Sequence, residues 1–309
     1  MRLAVEAWAP EYGSALEEVV LEPTEAEVDE GLEVDEAEWA PIRPTPPATA
    51  PVLLFVDGVQ RIDAVVWLLD DDPPADGRCA SIAAGAVRCA PGEQAEVVDV
   101  EVRRVLLSGS PSTPSVVTSA GTFHPVVAPT GERGDALDRA LHEERASLEG
   151  DVVGRAAGAA GTDLVVADGR LLAGLESTGA VGYVKTHHRR YLSPGGHRVV
   201  DALLEGERTP LFRIEGREPR TSWYARLPGP LAHPWSGVVR LEVAGAMAVP
   251  EAAARADVLT ALLPRFASEP HKDGRAPQNL YPIGGLERHL RHRLGDRELV
   301  IRALRQAAA

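Results

Sequence analysis

Cysteine, methionine and aromatic side chains are scarce in this sequence: two Cys, two Met and 5% aromatic residues. Cys79 and Cys89 have no second pair to join, so neither a disulfide framework nor a cysteine zinc site is available, and both read as reduced core residues. No stretch approaches the roughly 20 apolar residues of a membrane helix. The start, Met1-Arg2-Leu3-Ala4-Val5-Glu6, lacks the basic region and apolar run of a secretory signal. A cytoplasmic protein with no membrane partner is expected. A P-loop and a Rossmann glycine fingerprint are both missing, which argues against an ATPase or a dinucleotide enzyme. What remains, 309 residues with 44% hydrophobic and 25% charged side chains, is an ordinary globular composition with enough chain for a sizeable core.

Bases are almost absent from the first forty residues, where thirteen acids from Glu6 to Glu38 face only Arg2. Most of the net charge of −14 therefore sits there, and the rest of the chain is close to neutral. An acidic surface repels polyanions, but the near-neutral body carries basic clusters at Lys185-Thr186-His187-His188-Arg189-Arg190-Tyr191 and Arg288-His289-Leu290-Arg291-His292-Arg293. A nucleic-acid surface is compatible with that body. The prolines of Pro41-Ile42-Arg43-Pro44-Thr45-Pro46-Pro47 forbid a regular helix and favour an extended linker. We therefore divide the chain into an acidic segment with its linker, residues 1–50, and a body, residues 51–309. The acidic segment reads either as a solvated tail or as an arm in which Leu3-Ala4-Val5 and Val19-Val20-Leu21 are ordered.

The body opens with strands. Val52 to Val56 is a short apolar run that reads as a buried strand ended by an Asp57-Gly58 turn. Ile62 to Leu69 is β-branched and aromatic, Cys79 to Val87 is small and apolar, and Ala95 to Leu107 alternates as a half-buried strand does. From Asp135 the period becomes helical, with Leu137, Leu141, Leu148 and Val152 on one stripe until the glycines from Gly154. Asp163 to Gly169 is a second buried strand ending in Asp-Gly, and Val181 to Lys185 a third. Further strands fall at Leu211 to Ile214, Ser222 to Leu227 and Val238 to Val243. Helices are predicted at Glu251 to Phe266, about Gly284 to Leu294, and Asp296 to Gln306. The class is α/β with a mixed sheet.

Two apolar strands that each end in Asp-Gly place Asp57 and Asp168 where open α/β sheets carry their sites. Taken singly, Asp-Gly after a strand is an ordinary turn. Two carboxylates brought together repel, a divalent cation relieves that repulsion, and hard carboxylate oxygens suit magnesium or manganese rather than zinc. The order strand–Asp, antiparallel strands, long helix, strand–Asp is also that of the ribonuclease H-like fold. A helical acid would complete the set, and Glu143, Glu144 and Glu149 are available. Glu144 falls on the Leu141–Leu148 stripe and Glu149 lies beside it, four residues after Arg145, so periodicity slightly favours Glu144.

Phe55-Val56-Asp57-Gly58, the later Val165-Val166-Ala167-Asp168-Gly169-Arg170-Leu171, the Val181-Gly182-Tyr183-Val184-Lys185 strand, and Leu280-Tyr281-Pro282 followed by His289 together resemble the NurA nuclease domain, over about residues 51–309. The resemblance implies a ribonuclease H-like fold, a homodimer, DNA as substrate, manganese as the favoured metal with magnesium as an alternative, and a HerA-like hexameric ATPase as partner in DNA-end processing or repair. By position it assigns Asp57, Glu149, Asp168 and His289 to the metal and catalysis. The family's Arg-to-Glu spacing selects Glu149 over Glu144. Two departures stand out: Val59 where the family has serine, and Gly284-Gly285 where it has proline.

On this reading two metals drive in-line attack on a phosphodiester, and His289 ligates a metal or protonates the leaving oxygen. Lys185 stabilises phosphate charge, while Arg189, Arg190 and Tyr191 hold the DNA by phosphate contacts and stacking. Trp223, Tyr224 and Trp235 are expected to pack rather than to stack on bases. Two alternatives are an inactive nuclease-like scaffold that docks a HerA-like partner and a metal-dependent hydrolase of small phosphoesters.

Overall fold

The structure is a computed structural model that describes residues 22–24, 26–70, 72–129, 133–159, 161–171, 175, 178–229 and 234–308. Leu3–Val5 and Val19–Leu21 lie outside the described residues. The chain forms two compact units, one built from Met1–Phe55, Cys89–Gln94 and Thr162–Gly284, the other from Val56–Arg88, Ala95–Gly161 and Gly285–Ala309.

The first unit holds strands β1 (Glu22–Pro23), β2 (Val28–Asp29), the start of β3 (Leu53–Leu68), β8 (Leu164–Asp168), β9 (Val181–Val184), β10 (Arg189–Arg190), β11 (Phe212–Ile214), β12 (Arg220–Arg226) and β13 (Val238–Ala244). Its sheet runs β2-β11-β12-β13-β9-β8, and the first residues of β3 flank β8. Strands β8 and β9 are parallel, with Asp168 opposite Tyr183; the pairings β9–β13, β13–β12, β12–β11 and β11–β2 are antiparallel. Every residue of β12 and β13 is buried, so both faces of these strands are covered. Trp223 and Tyr224 have no exposed surface, and Trp235 packs with Phe212, Tyr224 and Val238 in one apolar cluster. The aromatics are core.

Helix α2 (Pro194–Ala202) starts from Ser193, whose Oγ accepts the Gly196 N–H at 3.2 Å, the usual service of a serine cap followed by proline. The sequence pattern gave no helix here, because Gly195-Gly196 weakens helix propensity in a short segment. Helix α3 (Val249–Leu262) completes the unit's helical layer together with the start of α4 (Tyr281–Arg293).

The described part of the acidic segment is built into this unit. Strand β1 pairs in parallel with β10, and β2 antiparallel with β11. Glu30 is buried and accepts the Ser193 hydroxyl at 3.0 Å, where a negative charge meets the positive end of α2. Glu33 grips the buried Arg208 through two hydrogen bonds of 2.8 Å and accepts the Leu211 N–H at 2.7 Å. Burial alone pushes the Glu33 carboxyl up, but Arg208 and the Leu211 N–H outweigh it and hold the group below its ordinary range. Residues 41–47 form no helix, as their prolines require, and Ile42 exchanges backbone hydrogen bonds with Arg208.

The second unit carries the rest of β3, then β4 (Ala75–Cys89), β5 (Glu96–Ser108), β6 (Val116–Thr118) and β7 (Gly121–Val127), in the order β3-β4-β5-β7-β6. Strands β4 and β5 are antiparallel with a bulge at Ala86–Val87; β5 and β7 are parallel. Helix α1 (Arg133–Ala159) packs on β5, and α5 (Arg297–Ala307) on β6. Strand β4 is small-chained for a reason: a Cβ at Gly85 would stand 3.1 Å from both Leu286 and Leu290 of α4.

Two boundaries differ from the sequence reading. Strand β3 does not end at Asp57-Gly58 but runs unbroken for 16 residues, so Asp57 sits inside a strand rather than at its end. Helix α1 passes through Gly154 and Gly158, since Val152, Val153 and Ala156 keep its buried face going. Both units are mixed α/β, of parallel and antiparallel strands flanked by helices, consistent with the ribonuclease H-like fold.

Candidate active site

In the first unit the site grows from β8 and β9. Gly169, at φ +94°, turns the chain directly after Asp168, a conformation glycine adopts without steric cost. The turn then passes close over β9: a Cβ at Gly182 would stand 2.5 Å from the Leu171 nitrogen. Glu242 of β13 fixes the turn by accepting the Leu171 N–H at 2.8 Å, and Arg240 holds the other Glu242 oxygen at 2.5 Å.

On this footing Asp168 Oδ2 accepts a 2.7 Å hydrogen bond from Lys185 Nζ, which also donates to Asn279 Oδ1 at 3.1 Å. Asn279 has no exposed surface, and its Nδ2 donates to Asp273 Oδ2 at 2.7 Å. Beneath lies Tyr183, fully buried, whose hydroxyl donates to the Gln278 carbonyl at 2.6 Å. Burial first, and the Asp168 charge second, hold that phenol protonated well above its ordinary value. Asp168 Oδ1, by contrast, is buried with no hydrogen-bond partner among the described residues.

In the second unit Asp57 and Glu149 each lie next to Gly58. Asp57 is buried in β3, its Oδ1 accepting the Gly58 N–H at 2.8 Å. Glu149 of α1 is 3% exposed, and a Cβ on Gly58 would stand 2.2 Å from its Oε1. Glycine at 58 is therefore not a turn residue; it leaves the space that the Glu149 carboxylate occupies. Arg145, one helical turn earlier, places Nε 3.4 Å from Glu149 Oε1 and a terminal nitrogen 3.5 Å from the Gly58 carbonyl. Glu144 lies elsewhere on the helix, 3.9 Å from Arg103. It lines a groove of about 740 Å³ together with Glu101, Arg103, Arg104 and Arg293.

His289 is exposed on α4, whereas Leu286 and Leu290 of the same helix are buried. The basic run after Lys185 divides. Arg189 and Arg190 are exposed, but Tyr191 packs against the aromatic cluster with the Arg240 guanidinium 4.9 Å from its ring centre. His187 is buried, within 3.1 Å of the Val238 carbonyl, and burial depresses its pKa to about 4. It is a core residue inside a sequence that reads as a surface loop.

Sequence reasoning passed over Asn279, Asp273 and Glu242. The one available sign was an asparagine immediately before Leu280-Tyr281-Pro282 in an apolar stretch.

Among the described residues no group of three or more His, Cys, Asp or Glu side chains gathers as a ready-made metal cage. Magnesium-type ions seldom use one; they take one or two carboxylates and complete their shell with water and substrate phosphate. Asp168, with an oxygen that is buried and unpartnered among the described residues, Asp57 and Glu149 are hard oxygen donors of that kind. The donors fit a divalent ion in chemistry.

A family model described as the NurA domain matches residues 63–283, more than two thirds of the chain. The matched stretch contains Glu149, Asp168, Lys185 and Asn279; Asp57 and His289 lie just outside its two ends. No curated protein matches the chain.

Proposed function

The chain belongs to the NurA family, a family of nucleases, and from that premise we propose that it is a metal-dependent deoxyribonuclease. The observation that carries this reading is the state of Asp168: one oxygen bonded to a lysine, the other buried and without a partner among the described residues. An unpartnered buried carboxylate oxygen costs free energy, of the order of 1–3 kcal/mol, and a ligand for it removes that cost.

Asp57, Glu149 and Asp168 are the proposed metal ligands, with His289 as a further ligand or as the group that protonates the leaving oxygen. When bound, manganese, or magnesium in its place, supplies Lewis-acid stabilisation of the charge on the scissile phosphate. Lys185 offers a fixed ammonium to a phosphate oxygen. Arg189 and Arg190 contact the flanking backbone, and the partly exposed Tyr191 stacks on a base. A second copy of the chain and a HerA-like hexameric ATPase are the proposed partners, in DNA-end processing; family membership is what supports them.

The test is purified full-length protein with manganese and labelled single- and double-stranded DNA, beside Asp57→Ala and Asp168→Asn. Cleavage by the wild type that both variants lose is the expected result. Wild-type protein that leaves both DNAs intact sinks the nuclease reading in favour of a docking scaffold. Equal turnover of a chromogenic phosphoester points to a small-molecule hydrolase instead.

A further inference from the structure

We propose that Asn279, oriented by Asp273, is a positioning residue that aims Lys185. The inference rests on the nuclease reading and deepens it. A lysine ammonium is a point charge on a four-carbon stem with several rotatable bonds, and unassisted it samples many positions. Here two of its three donors are engaged, one on Asp168 Oδ2 at 2.7 Å and one on Asn279 Oδ1 at 3.1 Å. The third N–H is the one left for a phosphate.

The asparagine is directional because of its own neighbour. Asp273 Oδ2 lies 2.7 Å from the Asn279 amide nitrogen. A carboxylate only accepts, so the NH₂ must face it and the carbonyl oxygen must face Lys185. Asp273 is itself held, its other oxygen accepting the Arg275 N–H at 2.8 Å. Gly284 makes the room: a Cβ there would stand 2.9 Å from Asn279 Nδ2 and 3.1 Å from Asp273 Oδ2. This gives the departure from proline at Gly284 a physical purpose. The chain of bonds Asp273–Asn279–Lys185–Asp168 also commits Asp168 Oδ2 to the lysine, so that Oδ1 is the oxygen left open.

The experiment is an exchange of the two partners in the full-length protein. Asn279→Asp sets two carboxylates against each other, and Asp273→Asn replaces an acceptor-only group by an amide that can present either face, so the Asn279 amide is no longer forced into one orientation. The double exchange restores a complementary pair, with an amide at 273 donating to a carboxylate at 279 that still accepts from Lys185. Turnover number and KM on DNA with manganese are measured beside melting temperature, and DNA affinity is measured separately in EDTA. Each single variant is expected to lose about tenfold or more in turnover number with a smaller change in KM. In EDTA each should weaken DNA binding severalfold, and the double variant should recover most of both losses. A folded double variant no better than the singles overturns the proposal, as does an Asn279→Leu variant with wild-type turnover. Should Asn279→Asp not fold, Asp273→Ser at the less buried partner carries the same test, and unchanged turnover and affinity there overturn it. If the wild type itself cleaves nothing, the nuclease reading has failed; if it cleaves and the exchange does not rescue, only this inference has.

Discussion

Asp168 of the first unit is half-buried and Glu149 of the second is buried, and the two are held by opposite means. In the first unit a polar chain running through Lys185, Asn279 and Asp273 fixes Asp168. In the second, the carboxylate of Glu149 is seated by the absence of a side chain at Gly58. Hydrogen bonds fix the direction in which a charge points and let volumes nearby vary; a steric cradle fixes distance and tolerates no added atom. The contrast belongs to these two acids and not to the units at large: the first unit buries Arg208, Arg220, Arg226, Arg240, Glu242 and His187, and the second buries Asp63, which accepts the Ser81 hydroxyl and an Arg61 N–H.

The sharpest way to break this comparison is to remove the acids themselves. Asp168→Asn should cut DNA cleavage by a factor on the order of 10³, the scale of losing a group that acts on developing charge, with the melting temperature little changed. A variant that cleaves at the wild-type rate ends the claim that Asp168 serves the reaction. Next in size is a stability effect confined to the first unit. His187 has a folded pKa of about 4 against the ordinary 6.5, because burial, then the nearby Arg240, His188 and His197 charges, outweigh its bond to Val238. A folded value below the unfolded one means the contribution is whole above pH 6.5 and is lost as pH falls towards 4, about 3 kcal/mol over that window. Urea unfolding at pH 7 and pH 4.5 should show the loss in the wild type and a smaller one in His187→Gln. Equal losses would mean that His187 is not the group responsible.

Gly58→Ala probes the cradle. The new methyl falls where Glu149 Oε1 now stands, so the carboxylate must retreat by about an ångström. Misplacement of that size costs about 10² in rate, and overpacking costs about 1–3 kcal/mol. Cleavage assays and thermal melts of the same sample separate the two losses. If the rate is unchanged, the glycine matters only for packing.

How much of this was legible follows from where each signal lives. The Asp163–Gly169 strand and its turn were readable because an apolar run and a positive-φ glycine are local features. Gly58 was misread as a turn for the same reason: Asp-Gly is a local turn signal, while the true demand on that position comes from a helix residue far along the chain. Asn279 had only its place before Leu280-Tyr281-Pro282 as a local sign and Asp273 had none, since their meaning depends on Lys185 arriving from a distant strand. Helix α2 was lost to its two glycines, and the buried His187 to its basic neighbours. Glu30 and Glu33 looked like part of a solvated acidic run, because composition does not reveal which acids find a helix end or a buried arginine.

The smallest expected effect falls on Glu144, and its smallness is the point. Helical periodicity drew attention to Glu144 because it lies in register with Leu141 and Leu148. The buried face of α1 is wider than that single stripe: Leu148, Glu149, Val152 and Val153 are all buried, and the stripe's centre therefore shifts towards 149. Glu144 instead keeps 30% of its side chain exposed and stands 3.9 Å from Arg103, whose guanidinium already bonds Glu101 and Asp151. A partly exposed ion pair of that length is worth well under about 1 kcal/mol. Glu144→Gln should therefore leave the cleavage rate within about twofold of wild type and the stability within about 0.5 kcal/mol, whereas Glu149→Gln, with the same change of charge and shape, should behave like Asp168→Asn. A Glu144 variant that loses cleavage while the Glu149 variant keeps it would move the helical acid into the Arg103 groove and leave the Gly58 cradle as packing alone.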